Sequence, residues 1–146
     1  MKVTLIDPAD IESLKGALDQ NNVGALVYID GTFASPVNQK ALTLGADLIL
    51  HSSTKFIAGH NDVLGGCISG SEELISKIRQ YHHVIGGVLN PNAAYMILRG
   101  MRALHLHVPY QNSTAIKMAQ FLEKHPKVHE SNLVFPPSRV YGVILC

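Results

Sequence analysis

Residues 46–69 read ADLILHSSTKFIAGHNDVLGGCIS, and the order of residue types in this stretch decides the fold class. The stretch begins with an apolar run typical of a buried strand and ends with a second such run. Between them lies a polar turn in which three hydroxyl side chains precede Lys55 and a glycine-containing loop follows it. Continuously apolar strands are typical of sheets covered on both faces, and ligands of such sheets gather at strand ends. The stretch therefore predicts a layered α/β domain with a polar site after one strand.

Strand-like and helical segments alternate on both sides of this stretch. Apolar runs typical of strands occur at residues 2–6 and 24–29, and the second run ends at Asp30. Helical spacing of apolar residues, with capping residues in front, predicts helices over residues 7–22, 71–83, 90–104 and 111–124. This alternation indicates an α/β fold with a largely parallel sheet and covering helices.

Bulk properties exclude several classes of partner. The chain has 146 residues, enough for one compact domain, and its formal net charge of +1 gives no electrostatic footprint for nucleic acid or an anionic membrane. No apolar run reaches the length of a membrane span, and the first residues resemble neither a signal peptide nor a transit peptide. Two cysteines lie outside metal-binding and redox spacings. We expect a cytoplasmic protein that binds neither nucleic acid nor membrane.

A lysine at a strand end has three ordinary uses, namely surface charge, phosphate clamp and nucleophile. Surface charge does not account for the three hydroxyl residues before Lys55, and no glycine-rich loop of the phosphate-binding type precedes it. A desolvated lysine becomes nucleophilic towards an aldehyde and forms a Schiff base. Neighbouring hydroxyls can then bind a phosphate group, and an upstream carboxylate can bind a ring nitrogen. Pyridoxal phosphate requires both. The surroundings of Lys55 favour this third use.

Three segments carry a resemblance to a known family. Residues 47–66 strongly resemble the cofactor-lysine motif of the pyridoxal-phosphate-dependent enzymes of cysteine and methionine metabolism. Residues 30–47, DGTFASPVNQKALTLGAD, resemble that family's aspartate–x–threonine–phenylalanine turn, and residues 86–108 resemble its next helices. The resemblance extends from about Val3 to Val128 and is closest to plant-type cystathionine gamma-synthases. It implies part of the major domain of a fold-type I transferase.

The resemblance assigns a role to each candidate site residue. Lys55 would bind pyridoxal phosphate covalently and move protons on the substrate, and Asp30 would pair with the pyridinium nitrogen. Ser52 and Thr54 would bind the phosphate, and Thr32 would lie near the ring. Taken singly, Asp30 can also be a turn carboxylate, and Ser52 and Thr54 can be turn hydroxyls that bond to backbone. No metal site is expected among the eight histidines.

The implied reaction is the replacement of the γ-substituent of an activated homoserine by cysteine, which gives cystathionine for methionine biosynthesis. The alternative within the family is a methionine or cystathionine gamma-lyase, because both reactions use the same lysine chemistry. The alternative from another class is an inactive remnant or interaction partner. Family members are homo-oligomers that act on small amino-acid substrates, whereas this chain is not necessarily an oligomer.

Comparison with the family also predicts missing parts. Residues 1–108 are expected to form a partial cofactor-binding domain, 109–128 a helix towards a C-terminal domain, and 129–146 a divergent tail. Relatives carry a strand, a turn and a helix between the segments that are joined here near Val23–Gly24. They also carry N-terminal and C-terminal parts that complete the site. The chain alone is therefore expected to be inactive, and a plastid location follows if its N-terminus is incomplete.

Overall fold

The computed structural model describes residues 8–21, 24–126 and 128 of the chain. Its helices and strands in this part are α1 (Pro8–Gln20), β1 (Tyr28–Asp30), α2 (Ser35–Asn38), β2 (Leu48–Ser52), β3 (Gly66–Gly70), α3 (Glu72–Ile85) and α4 (Pro91–Glu123). The predicted strand over residues 2–6 and the predicted tail over residues 129–146 lie outside the described residues. No helix in the described part is both long and apolar enough to cross a membrane.

The described strands form one sheet in the order β1-β2-β3. β1 is parallel to β2, with Asp30 opposite Leu50, and β2 is antiparallel to β3, with His51 opposite Cys67. The α/β class is confirmed, but the sheet is mixed because β3 departs from the expected parallel pairing. The segment between β2 and β3 contains no helix that would carry the chain back across the sheet, so β3 returns in the opposite direction.

The two faces of the sheet differ in coverage. Ile29 and Ile49 are buried on one face, where they join α1 in a cluster. The buried members of that cluster are Ile11, Val27, Ile29, Ala41, Ala46 and Ile49. On the other face, Tyr28 is 52% exposed and Ile68 40% exposed. The described residues therefore cover one face well and leave the other partly open, whereas coverage of both faces was expected.

Two of the predicted helix starts are confirmed by their capping bonds. Ser71 accepts a hydrogen bond from the Leu74 N–H at 3.4 Å, and Asn90 accepts one from the Ala93 N–H at 2.9 Å. Pro91 occupies the first position of α4, where its missing N–H costs nothing.

The two helices predicted over residues 90–104 and 111–124 are one continuous helix, α4. Pro109 lies inside it and has no N–H to donate to the carbonyl four residues earlier. A proline in a helix interior costs about 3 kcal/mol, so packing on both sides must hold the helix together. Leu104 and Val108 are buried before the proline and Ala119 after it. Sequence pattern alone could not show this tertiary support.

A charged contact fixes α1 against the sheet. Lys15 Nζ lies 3.2 Å from Asp47 Oδ2, and the same carboxylate oxygen accepts a hydrogen bond from the Val27 N–H at 2.8 Å. The Val27 N–H holds the pKa of Asp47 below its usual value, burial opposes this shift, and Lys15 reinforces it. Asp47 therefore links the helix to the starts of both β1 and β2.

We predict that Asp47→Asn lowers the free energy of unfolding by about 1 kcal/mol, because a charge-assisted hydrogen bond becomes a neutral one. Since the pKa of Asp47 is lowered on folding, its contribution is present above the unfolded-state pKa of about 3.9 and is lost as pH falls through the lower folded-state value. The difference between parent and variant should thus disappear under acid. Urea unfolding of both proteins at several pH values measures it.

Asp19→Asn is the matched control, because Asp19 contacts Lys15 at 3.4 Å and its side chain is 63% exposed. This variant leaves the Val27 N–H with its acceptor and should unfold almost like the parent. Equal effects of the two substitutions would show that the link to Val27 is unimportant.

Candidate functional site

The contact between β1 and β2 continues past the end of β1. The Gly31 N–H donates to the Leu50 carbonyl at 2.8 Å, and the Ser52 N–H donates to Thr32 Oγ1 at 2.9 Å. The Thr32 N–H in turn donates to Asp30 Oδ1 at 3.0 Å. Three of the five predicted site residues, Asp30, Thr32 and Ser52, are therefore connected at one edge of the sheet.

Asp30 and Ser52 also share one face of the sheet. Side chains alternate along a strand, and Asp30 pairs with Leu50, two residues before Ser52. These positions belong to the open face, where the Asp30 side chain is exposed and that of Ser52 half-buried. Ile49 and His51 belong to the opposite, buried face. The open face is thus the side from which a ligand can approach Asp30.

Lys55 follows in a tight turn, Ser53–Ile57, directly after β2. Its φ of −84° and ψ of −113° interrupt the helical geometry of that turn. Its side chain is exposed, and its ammonium group has no hydrogen-bond or ion-pair partner among the described residues. Because the Lys55 side chain is exposed, the described part of the chain does not provide the desolvation expected from the sequence.

Thr54 fastens the lysine turn to the start of β3. Its hydroxyl accepts a hydrogen bond from the Gly65 N–H at 3.0 Å and lies 3.4 Å from the Gly65 carbonyl. The Thr54 N–H also donates to that carbonyl at 3.3 Å. This is the backbone-bonding role that the sequence left open for Thr54. The Ser52 hydroxyl, by contrast, has no hydrogen-bond partner in the part of the chain that the structure describes.

The loop after the lysine turn is ordered by a backbone bend and two imidazoles. Gly59 has a φ of +73°, a conformation that L side chains rarely adopt. His60 Nδ1 lies 2.6 Å from the Ala58 carbonyl, and its ring meets the His107 ring edge-on at 5.5 Å. No group of three potential metal-binding side chains occurs in the described ranges. His60 and His107 therefore act here as packing and hydrogen-bonding partners.

His51 and Gly31 form a close contact behind the site. A Cβ on Gly31 would lie 2.6 Å from His51 Cε1 and 2.8 Å from Ile49 Cδ1, so a larger residue would have to displace these two buried side chains. Burial lowers the pKa of the His51 imidazole, and the Gly31 backbone and Asp30 oppose that shift. The ring is thus favoured in its neutral form beneath the turn that carries Asp30.

Gly100 lets α4 approach the lysine turn directly. A Cβ at this position would lie 2.2 Å from the Ala58 carbonyl oxygen and 2.6 Å from the Ala58 Cα. Ala58 is buried together with Val63 and Ala93, which places the N-terminal half of α4 against the loop after Lys55. Gly100 is not among the residues predicted from the sequence. An isolated glycine inside a helical pattern is the signal that could have identified it.

The chain belongs to the family of Cys/Met metabolism PLP-dependent enzymes, whose model matches residues 3–139. A cystathionine gamma-synthase 1 from Nicotiana tabacum, described as chloroplastic, is 56% identical over 153 positions. That alignment covers 86% of this chain and 28% of the tobacco protein. Since 86% of 146 residues is about 126, about 27 aligned positions of the tobacco protein have no counterpart in this chain.

Solved structures of the same family share the fold. Cystathionine gamma-synthase from Xanthomonas oryzae pv. oryzae, in complex with aminoacrylate and cysteine, has a TM-score of 0.79 at 35% identity. This match covers 88% of the present chain and 34% of that one. Cystathionine gamma-lyase from Lactobacillus plantarum, complexed with L-serine, has a TM-score of 0.80 at 31% identity. This second match covers 92% of the present chain and 37% of the lyase chain. The expected family and fold are confirmed, and the chain spans about a third of these proteins.

We predict that Gly100→Ala destabilises the chain by about 1–3 kcal/mol, the usual cost of forcing an atom into a packed contact. The added methyl group must push α4 away from Ala58, since the obstructing atoms are backbone. Hydrogen exchange should then increase at the Gly59 N–H, which donates to the Lys55 carbonyl at 2.9 Å. Chemical unfolding and exchange measurements test the two effects.

Gly16→Ala is the matched control. Gly16 lies inside α1, and a Cβ there meets nothing within 4 Å. Alanine is the better helix former, so this variant should gain about 0.5–1 kcal/mol. Loss of stability at both glycines, or at neither, would contradict the assignment of the Gly100 contact.

Proposed function

We propose that the chain binds pyridoxal 5'-phosphate at the sheet edge formed by Asp30, Ser52 and Lys55. The observation that carries this proposal is the availability of suitable groups at one edge. The Lys55 ammonium group and the Ser52 hydroxyl lack partners among the described residues, and Asp30 shares the open face with Ser52. This cofactor needs an amine that reacts with its carbonyl group, a hydrogen-bond donor for its phosphate and a carboxylate for its ring nitrogen. The residues present therefore fit the group.

Each residue has a separate task in this proposal. Lys55 Nζ holds the cofactor covalently and moves protons at substrate carbons, and Asp30 keeps the ring nitrogen protonated. Ser52 and Thr54 hold the phosphate, with Ser52 in the better position because the Thr54 hydroxyl is already bonded to Gly65. Thr32 Oγ1 accepts a hydrogen bond from the Ser52 N–H and so fixes Thr32 next to Ser52. The Thr32 O–H remains able to donate a hydrogen bond towards the cofactor ring. When bound, the cofactor supplies an electron sink.

The reaction class that we propose for the whole protein is gamma-replacement of the cystathionine gamma-synthase type. Its support is the 56% identity to the tobacco synthase. The alternative is a gamma-lyase, because the lyase structure superposes as well as the synthase structure, with TM-scores of 0.80 and 0.79. Asp30, Ser52 and Lys55 serve steps that both reactions share. Small amino acids are the proposed substrates, and the chloroplastic tobacco relative supports a plastid location.

We propose that this chain by itself binds the cofactor but does not turn over substrate. Lys55 is exposed, and the chain matches only 28% of the length of the tobacco protein. Residues that would enclose the site are therefore expected in the part of that protein that this chain does not match. Rate and choice of reaction depend on holding the substrate rigidly at the cofactor, which an open edge cannot do. The further alternative, an interaction partner with a residual cofactor site, has the same binding behaviour. Cystathionine formation above that given by free cofactor would overturn the proposed lack of turnover.

Lys55 gives the direct test of the binding proposal. Incubation with pyridoxal phosphate should give visible absorption, and borohydride reduction should place the stable adduct on Lys55, as located by peptide mass spectrometry. Lys55→Arg keeps the charge but cannot form the bond and should lose the adduct. Lys77→Arg is the matched control, because Lys77 is an exposed lysine paired with Glu73 on α3. Equal labelling of many lysines, unchanged by Lys55→Arg, would refute the site.

Asp30 provides an independent prediction. A carboxylate stabilises a protonated ring nitrogen through a charge-assisted hydrogen bond, and its loss costs about tenfold or more in affinity. Asp30→Asn should therefore weaken cofactor binding by about that factor, as measured by absorbance titration. Asp19→Asn removes an exposed carboxylate from α1, the helix that packs on the buried face of the sheet, and should leave the affinity unchanged. Parent-like binding by Asp30→Asn would mean that Asp30 does not face the ring.

A further inference from the structure

α4 contacts both halves of the proposed site. Near its N-terminal half, Gly100 lies against Ala58, three residues after Lys55. Twelve residues further along, Asn112 contacts Asn38 of α2, the helix that follows the Asp30–Thr32 turn. At 1.5 Å per residue the two contacts are about 18 Å apart along the helix. One continuous helix therefore contacts both the lysine turn and α2, which follows the turn that carries Asp30, with Pro109 between the two contacts.

The contact at Asn112 is a reciprocal pair of side-chain amides. Asn38 Nδ2 donates to Asn112 Oδ1 at 3.2 Å, and Asn112 Nδ2 donates to Asn38 Oδ1 at 2.9 Å. Both side chains are half-buried, so an unpaired amide here would lose part of its hydration without compensation. Each amide uses one donor and one acceptor on the other, which fixes their relative orientation. A single hydrogen bond would not do so.

Asn38 is tied in turn to the residues around Asp30. Its N–H lies 3.4 Å from Ser35 Oγ, and the Ser35 N–H donates to the Gly31 carbonyl at 3.1 Å. Ser35 is fully buried and has a φ of +67°, which is uncommon for a residue with a side chain. A conformation of that kind persists only where surrounding contacts hold it. The path from Asn112 through Asn38 and Ser35 thus ends at the residue next to Asp30.

We propose that Asn38 and Asn112 are positioning residues that set Asp30 relative to Lys55. The inference rests on the proposed cofactor site, since it concerns how the two halves of that site are held together. Gly100 fixes α4 to the lysine turn, and the amide pair fixes α4 to the Asp30 turn, so α4 spans the gap between them. Without the pair, β1 and β2 still join the halves through backbone, but the turn after β1 loses its outer support.

Two measurements on the full chain test the inference. The first is amide hydrogen exchange without cofactor. In Asn112→Ala the Thr32 and Ser35 N–H groups should exchange about tenfold faster, since local opening needs less free energy when a fixing contact is removed. The Gly59 and Leu48 N–H groups, which belong to the lysine turn and the sheet, should keep the parent rates. Gln111→Ala is the matched control, because Gln111 is the exposed neighbouring amide on α4.

The second measurement is the affinity for pyridoxal phosphate, determined by absorbance titration. Asn112→Ala should bind about tenfold more weakly, the lower range for residues that orient a ligand-binding group. Asn38→Ala should do the same, and the double variant should be no worse than either single one, because the two side chains act as a unit. Asn112→Asp keeps an acceptor for Asn38 Nδ2 but sets an anionic oxygen against Asn38 Oδ1, so it should bind cofactor at least as weakly as Asn112→Ala. Its side chain has the size of the parent's, which provides a second variant if the alanine variants fold poorly.

The outcomes separate this inference from the proposed function. If exchange at Thr32 and Ser35 responds as expected but the parent does not bind cofactor at Lys55, the proposed function fails and the structural link stands. If the parent binds cofactor and the alanine variants bind it equally well, the positioning role is overturned and the site remains. Uniformly faster exchange throughout the chain, including Gly59 and Leu48, would show a general loss of stability and would also overturn the positioning role.

Discussion

Two hydrogen bonds extend the contact between β1 and β2 past the end of β1, from the Gly31 N–H to the Leu50 carbonyl and from the Ser52 N–H to Thr32 Oγ1. All that is proposed for the site depends on the parallel register of these two strands. A slip of one residue would move each strand's side chains to the opposite face, and Asp30 and Ser52 would no longer share the open one. The buried Ile29 and Ile49 hold the register from the other face, so the core and the site are fixed by the same pairing.

The lysine turn depends on a second constraint, because it projects from the sheet edge and the strands cannot hold it alone. Its support comes from one side through the hydrogen bonds between Thr54 and Gly65, and from the other through the contact of Gly100 with Ala58. Both supports involve a glycine: a Cβ on Gly100 would collide with the Ala58 backbone, and a Cβ on Gly65 would displace the end of the Ile97 side chain of α4, 2.9 Å away. The glycines around Lys55 thus serve close packing as much as loop flexibility, which explains a stretch that looks merely flexible in the sequence.

Features set by local chemistry could be predicted from the sequence, whereas those set by distant partners could not. The ends of β1 and β2 and the caps Ser71 and Asn90 follow from residue type and spacing, and the structure confirms them. The antiparallel direction of β3 and the passage of α4 through Pro109 depend on packing between distant segments. The exposure of Lys55 also depends on distant segments. Desolvation of its side chain requires other residues packed over the open face, and the sequence around Lys55 does not specify them.

α1 and β1 share one core although few residues separate them in the sequence. The sheet requires some helix over its buried face, with an apolar residue to meet Ile29 and Ile49 and a cation to meet Asp47. α1 meets both requirements through Ile11 and Lys15, and it reaches β1 by a short connection. Neither requirement involves the open face where Asp30, Ser52 and Lys55 lie. The loss of a helix and a strand that is predicted next to α1 is therefore compatible with the fold of this edge, because core formation and the open face depend on opposite faces of one sheet.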